Sequence, residues 1–311
     1  MYYPFLRGRQ FELIALRELA AEGVTQNVII PIIEPVKESI NNLNLAFNIF
    51  EAVDQSIFLI VNPSVGEFPG DTDYYLNYIR EKENIVFRPT FLYRNNASYI
   101  NAKIAEYNLQ NCMIIGNNEI SSEDTDFVAL VNTPEFTHVT IEDPDRNREL
   151  RRIVQESGKQ FVRLDDLFEP QPRNSNFLDI ETHRFSEEHK YFSQDGYNGF
   201  SDYTPLSSGY SDGGSTPRAV VIHFTYMNGQ NQIWIKHFTS ISNDSIANIQ
   251  GKFGEAANKA VIFCRAENLS NSAITELEDY YDRGHYPGLG TVKKISIKNH
   301  LNVVSDYLKT L

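Results

Sequence analysis

Polar and charged residues recur where short apolar runs of the sequence end. Glu34 and Lys37 close VIIPIIEPVK, Asn62 closes SIFLIVNP, and Arg88 and Arg94 flank the run IVFRPTFLY. Glu142, Asp143 and Asp145 follow THVTI, Arg163, Asp165 and Asp166 fall in QFVRLDDLF, and Asp202 and Tyr203 in NGFSDYTPL. Two kinds of chemistry suit this set. Carboxylates that converge with Arg or Lys can hold a divalent cation such as Mg2+, which takes oxygen ligands and leaves positions for substrate phosphates. Paired carboxylates can instead divide general acid and general base work, provided their surroundings push their pKa values apart. Glu34, Lys37, Arg88, Glu142, Arg163, Asp165 and Asp202 are the residues expected to line such a pocket. The competing reading makes them inward charges paired for register, Arg88 with Glu142 or Arg163 with Glu34, because a buried charge without a partner is costly.

Local rules sharpen two of these expectations. Asp165 and Asp166 are adjacent, so in a strand they face opposite ways. Asp165 shares the parity of Arg163 and is the one expected to look inward. In DPDRNREL the residue types suit a helix start with Asp145 as its N-cap.

The elements that must carry these residues alternate in type. Arg9 to Glu22 has helical periodicity, and VIIPIIEPV reads as a strand buried on both faces. Helices expected over Asn41–Asp54, Thr72–Glu83, Asn96–Asn108, Ser122–Asn132 and Arg146–Ser157 each precede an apolar run, ending in SIFLIVNP, IVFRPTFLY, CMIIG, THVTIEDP and QFVRLDDLF. Parallel neighbours need such crossovers. A doubly wound sheet would carry a glycine-rich phosphate turn after its first strand, whereas EPVKES has no glycine there. The expected fold is therefore α/β, a (β/α)8 TIM-barrel-like domain over 1–311, with function at the carboxyl ends of its strands.

Beyond Glu169 the pattern loosens. A helix is expected within Leu178–Tyr191, a seventh strand in NGFSDYTPL, and a surface excursion with a lid as its sharper reading at 207–217. The decorated part 219–311 opens with AVVIHFTYM as strand eight, joined through Asn228-Gly229 to QIWIKHFTS in an extra hairpin. A helix near Ser245–Lys259, a strand-like AVIFC, a helix over Ser270–Arg283 and a closing amphipathic segment follow.

Composition limits the partners. Asp and Glu exceed Lys and Arg by 41 to 28, and this charge disfavours a phosphate backbone as partner. Cys112 and Cys264 lie in apolar runs without CxxC spacing and read as reduced core thiols. No run is long enough to span a membrane, so a cytoplasmic protein is expected. The histidines show no zinc spacing, and His223 and His237 are expected to oppose each other across the hairpin. The GxSxG spacing of GYSDG at 209–213 falls in a polar, glycine-rich loop stretch and not at the end of an apolar run, so no nucleophile elbow is expected, and no Walker-type motif occurs. RGR at 7–9 is a small basic spot, with Arg7 and Arg9 expected to pair with Glu12 or Glu18.

The opening MYYPFLRGRQFELIALREL, then IIPIIEPVK, VNPSVGEF, RPTFLYR, RLDDLF and GFSDYTPL, resembles the phage and bacterial beta-protein family across most of the chain. The resemblance implies a setting in phage–host conflict, such as antiphage defence, and carries no established activity with it. Two functions stand open. One is a hydrolase or phosphodiester-processing barrel. The other is a non-catalytic component that binds a protein partner through its acidic surface or the aromatic stretch Tyr191, Phe192, Tyr197, Phe200, Tyr203 and Tyr210.

Overall fold

The computed structural model describes residues 1–82, 86–213 and 217–311. Glu83, at the end of the third expected helix, and positions 214–216 of the expected excursion lie outside the described residues. The chain groups into two compact units. One comprises Met1–Leu13, Thr25–Asp166 and Glu188–Tyr203; the other comprises Ile14–Val24, Leu167–Glu187 and Thr204–Leu311.

The first unit is a (β/α)8 TIM-barrel-like sheet. Its parallel strands are β1 (Phe5–Leu6), β2 (Ile32–Ile33), β3 (Ile57–Ile60), β4 (Phe87–Leu92), β5 (Cys112–Gly116), β6 (Phe136–Glu142), β7 (Gln160–Asp165) and β9 (Gly199–Asp202), while β8 (Thr182–Ser186) belongs to the second unit. Neighbours pair in chain order. A bridge between Tyr2 and Phe200, with the Tyr3 N–H donating to the Phe200 carbonyl at 2.8 Å, brings the ring near closure. Its helices are α2 (Asn41–Ala52), α3 (Tyr74–Lys82), α4 (Ala97–Tyr107), α5 (Thr125–Val131) and α6 (Arg148–Glu156), and α7 (Glu188–Tyr191) precedes β9, whereas α1 (Gln10–Ala21) belongs from Ile14 onward to the second unit.

Alternation along each strand sorts its side chains. Tyr3, Phe5, Ile32, Phe58, Ile60, Met113, Ile115, Val162 and Leu164 form one cluster that fills the barrel. The helices bury apolar stripes, as in α2, where Leu43, Ala46, Phe47 and Phe50 recur at helical spacing. Each fully buried Leu or Phe contributes about 1.5–3 kcal/mol by leaving water.

The first barrel strand is Phe5–Leu6, too short for periodicity to reveal, and β9 holds the place expected for AVVIHFTYM, which lies in the second unit instead. Helix α6 is capped by Asn147, whose side-chain oxygen accepts from the Leu150 N–H at 2.9 Å. Asp145 sits before it in a 3-10 turn over Pro144–Arg146 and pairs with Arg151 at 2.5 Å.

In the second unit β10 (Val221–Met227), β11 (Ile233–Thr239) and β8 form an antiparallel sheet in the order β10-β11-β8. The hairpin is present, but its connection is the five-residue stretch Asn228 to Gln232. There the Asn228 side chain accepts from the N–H groups of Gln230 and Gln232, both at 2.9 Å. Helices α8 (Ile249–Ala266), α9 (Ser272–Asp282) and α10 (Leu289–Leu308) complete the unit. AVIFC is helical, not a strand: Phe253, Ala256, Ala257, Ala260, Val261 and Cys264 make one buried stripe along α8. The helix expected within Leu178–Tyr191 is replaced by β8 and α7, because Thr182 to Ser186 pair with β11. Among the described residues no helix is long and apolar enough to cross a membrane.

Candidate functional site

Parallel register sets the rim of the barrel. Phe5 pairs with Ile32 and Leu6 with Ile33, so Arg7 and Glu34 emerge side by side at the carboxyl ends of β1 and β2. Gly8 then turns the chain with φ +64°, where a Cβ would stand 3.0 Å from the Glu34 carbonyl oxygen. Glu142 ends β6, and Tyr203 follows β9. These residues share a cavity of about 230 Å3 with Ser64, Arg94 and Asn117, floored by Phe5, Leu92, Ile115 and Leu164.

The charges are held in a definite arrangement. Glu34 is fully buried, ion-pairs with Arg7, and accepts from the Ser64 N–H at 2.6 Å and the Ser64 hydroxyl at 2.7 Å. The Arg7 guanidinium lies 5.2 Å from the Phe5 ring centroid and 5.7 Å from that of Tyr203, so two aromatic faces also hold it. Arg94 donates to the carbonyls of Asn62 and Pro63 at 3.0 and 3.3 Å and approaches Asp71 at 3.5 Å. Buried Asn62 bonds both ways with the Leu92 backbone, at 2.8 and 2.9 Å, and so continues the β3–β4 ladder beyond its last pair.

Glu142 also lies on this wall, at the end of β6. Burial, and next the negative charge of Asp166, lift its pKa above the ordinary value, against the opposing pull of the Asn118 N–H and Arg7. Burial likewise lifts the Tyr203 phenol, with Glu142 as the second cause, so its hydroxyl stays a donor. The cavity thus presents a carboxyl group able to hold a proton near two guanidinium groups.

No protein-family model matches this chain, and the comparisons with curated proteins and with solved structures find no match either.

Of the residues expected to line the pocket, Glu34 and Glu142 do so. Lys37 is exposed outside it and pairs with Glu67 at 3.0 Å. Arg88 is second in β4 and so lies at the amino-terminal end of the barrel. The inward parity of β7 belongs to Val162 and Leu164, which places Arg163 and Asp165 on its outer side. There Arg163 bonds Asp165 at 2.7 and 2.9 Å and pairs with Glu188 at 2.9 Å, a closed ionic group against the helices. Asp202 is also on the outer side, buried, accepting from the Tyr2 hydroxyl at 2.6 Å. The expected pairings of Arg88 with Glu142 and Arg163 with Glu34 are not formed.

Arg7, Ser64 and Asn117 were not legible as site residues, and Asp166, set aside in favour of Asp165, is the neighbour whose charge acts on Glu142. Arg7 was expected to pair with Glu12 or Glu18. Glu12 instead accepts from the Arg7 backbone N–H at 2.6 Å, which leaves the guanidinium for Glu34. Counting Phe5-Leu6 as a strand would have placed Arg7 on the rim. Among the described residues no group of three or more His, Cys, Asp or Glu side chains is placed to share a metal ion. His223 and His237 do face each other across the hairpin, with their Nδ1 atoms 2.7 Å apart. Of the aromatic stretch, Tyr197 and Phe200 are core residues and Tyr203 lines the cavity, whereas Tyr191 is exposed.

Proposed function

We propose that the carboxyl-end cavity of the barrel binds a small ligand bearing an oxyanion and hydrolyses it, with a phosphodiester as the substrate class and Glu142 as the acid–base residue. The observation that carries this reading is that Glu142, a carboxyl group held above its usual pKa, shares one cavity with Arg7, Arg94 and Tyr203. In the step envisaged, water adds to phosphorus as the bond to the leaving oxygen breaks. Glu142 passes its proton to that oxygen and recovers one from the attacking water. Arg7 and Arg94 face the charge that grows on the phosphoryl oxygens, and Tyr203 offers a neutral donor. Of the six aromatic residues that suggested a protein-docking surface, Tyr197 and Phe200 lie in the core and Tyr203 lines the cavity, which leaves fewer of them for a protein partner.

In this reading the protein acts in the cytoplasm within the phage–host setting that the sequence resemblance implies. Both cysteines are buried and free, as suits a reducing compartment. Crystals soaked with a mixed pool of nucleotides test the site. The expected result is a phosphate group bound among Arg7, Arg94, Glu142 and Tyr203. A cavity left empty at millimolar nucleotide, or phosphate bound only elsewhere, would contradict the proposal.

A further inference from the structure

The opposite end of the barrel holds a cation of a different kind. Arg88 is partly buried, shares the inward parity of Thr90 and Leu92, and its guanidinium lies 5.7 Å from the Phe58 ring centroid. Arg7, Arg94 and Arg163 each have a carboxylate partner, but Arg88 has neither an ion pair nor a hydrogen bond among the described residues. The rings of Tyr3 and His138, packed against Phe58, are neutral. Burial pushes the Tyr3 phenol up to about 12, and burial with the charge of Arg88 pulls His138 down to about 4.

Arg88 opens onto a cavity of about 370 Å3 at the amino-terminal ends of the strands, large enough for a small organic ligand. The wall carries neutral donors: the side-chain amides of Gln26, Asn27 and Gln55 and the hydroxyl of Ser56. Thr25 donates its hydroxyl to the Gln55 side-chain oxygen at 2.6 Å, which leaves the amide nitrogen of Gln55 as the end available to a ligand. Asp54, exposed at the edge, is the carboxylate of this wall and makes no ion pair with Arg88. A guanidinium taken partly out of water gains most from a planar oxyanion that accepts two of its N–H groups at once.

We propose that this cavity is an oxyanion-binding site separate from the one at the carboxyl end, in which Arg88 grips a phosphate or carboxylate group of a small ligand and the amide side chains complete its hydrogen bonds. The test is a titration of the full chain, labelled with 15N-arginine, with inorganic phosphate or acetate at constant ionic strength set by chloride. The Arg88 Nε–Hε resonance, identified by its loss in Arg88→Gln, is expected to shift and saturate with at least one of the two anions. The anion that binds more tightly names the ligand group. With uniform 15N labelling the side-chain amide resonances of Gln26, Asn27 and Gln55 report the same cavity without Arg88; by these signals Arg88→Lys is expected to weaken binding at least tenfold, whereas Glu142→Gln leaves it unchanged, which separates this site from the acid–base reading. Absence of a saturable shift with both anions, or equal affinity in Arg88→Lys, overturns the proposal.

Discussion

Arg7 and Glu34 meet because the two-residue strands that precede them are paired in register, and the fully buried Glu34 carboxylate then fastens the next loop through Ser64. One ion pair thereby ties three consecutive crossings of the barrel rim together. Burial raises what is at stake, since a lone buried charge is far more costly than a lone surface one.

Glu34→Ala is accordingly expected to lower stability by about 3–5 kcal/mol, since it leaves the Arg7 guanidinium without its carboxylate. Lys37→Ala, which breaks an exposed pair with Glu67, is expected to cost less than about 1 kcal/mol. Urea unfolding of both variants checks the contrast. Equal losses would show that Glu34 is not the anchor of the rim.

Glu142→Gln should move stability and activity in opposite directions. A carboxyl group whose folded pKa is raised binds its proton more tightly in the native state, so stability falls as pH rises from about 4.5 through the folded pKa. The amide removes that loss. Melting temperatures of the variant should exceed those of the wild-type protein at neutral pH and converge with them below about pH 4.5. A variant less stable at pH 7 would mean that Glu142 is a structural carboxylate.

Asn147→Ala should cost about 1 kcal/mol, the usual value of an N-cap. Asp145→Ala should cost less than that, because Asp145 is half-exposed where it pairs with Arg151. Chemical denaturation of the two variants decides which residue caps α6.

The His223–His237 pair should make the second unit sensitive to acid. Burial pulls His223 down to about 3, and burial with the neighbouring His223 charge pulls His237 down to about 2. Both stay neutral in the native state while the unfolded chain takes up protons below about pH 6.5. Stability should therefore drop by about 1.4 kcal/mol per pH unit for each histidine as pH falls from 6 toward 4. Imidazole NMR shifts that titrate near 6.5 in the folded protein would contradict this.

Much of the barrel was legible in the sequence. The runs SIFLIVNP, CMIIG and THVTIEDP are long and apolar enough to declare buried strands, and helices such as Asn41–Ala52 declare themselves by period. The site was half legible. Position at a strand end found Glu34 and Glu142, but it could not say which face of β7 looks inward, and that parity moved Arg163 and Asp165 outside. Arg88 was misplaced because it stands near the start of its strand, not its end. Phe5-Leu6 has no periodicity to read, so Arg7 went unnoticed. In AVIFC a short apolar run reads as a strand, and only the alanines before it reveal the helix.

The most direct test of the central claim is hydrolysis of a chromogenic phosphodiester, bis(p-nitrophenyl) phosphate, by the wild-type protein and by Glu142→Gln across pH 4 to 9. Turnover is expected to decline as pH rises through the elevated pKa of Glu142, with a loss of about 10²–10⁴-fold in the amide variant. Rates equal in the two proteins, or no turnover by the wild-type protein at any pH, would contradict it.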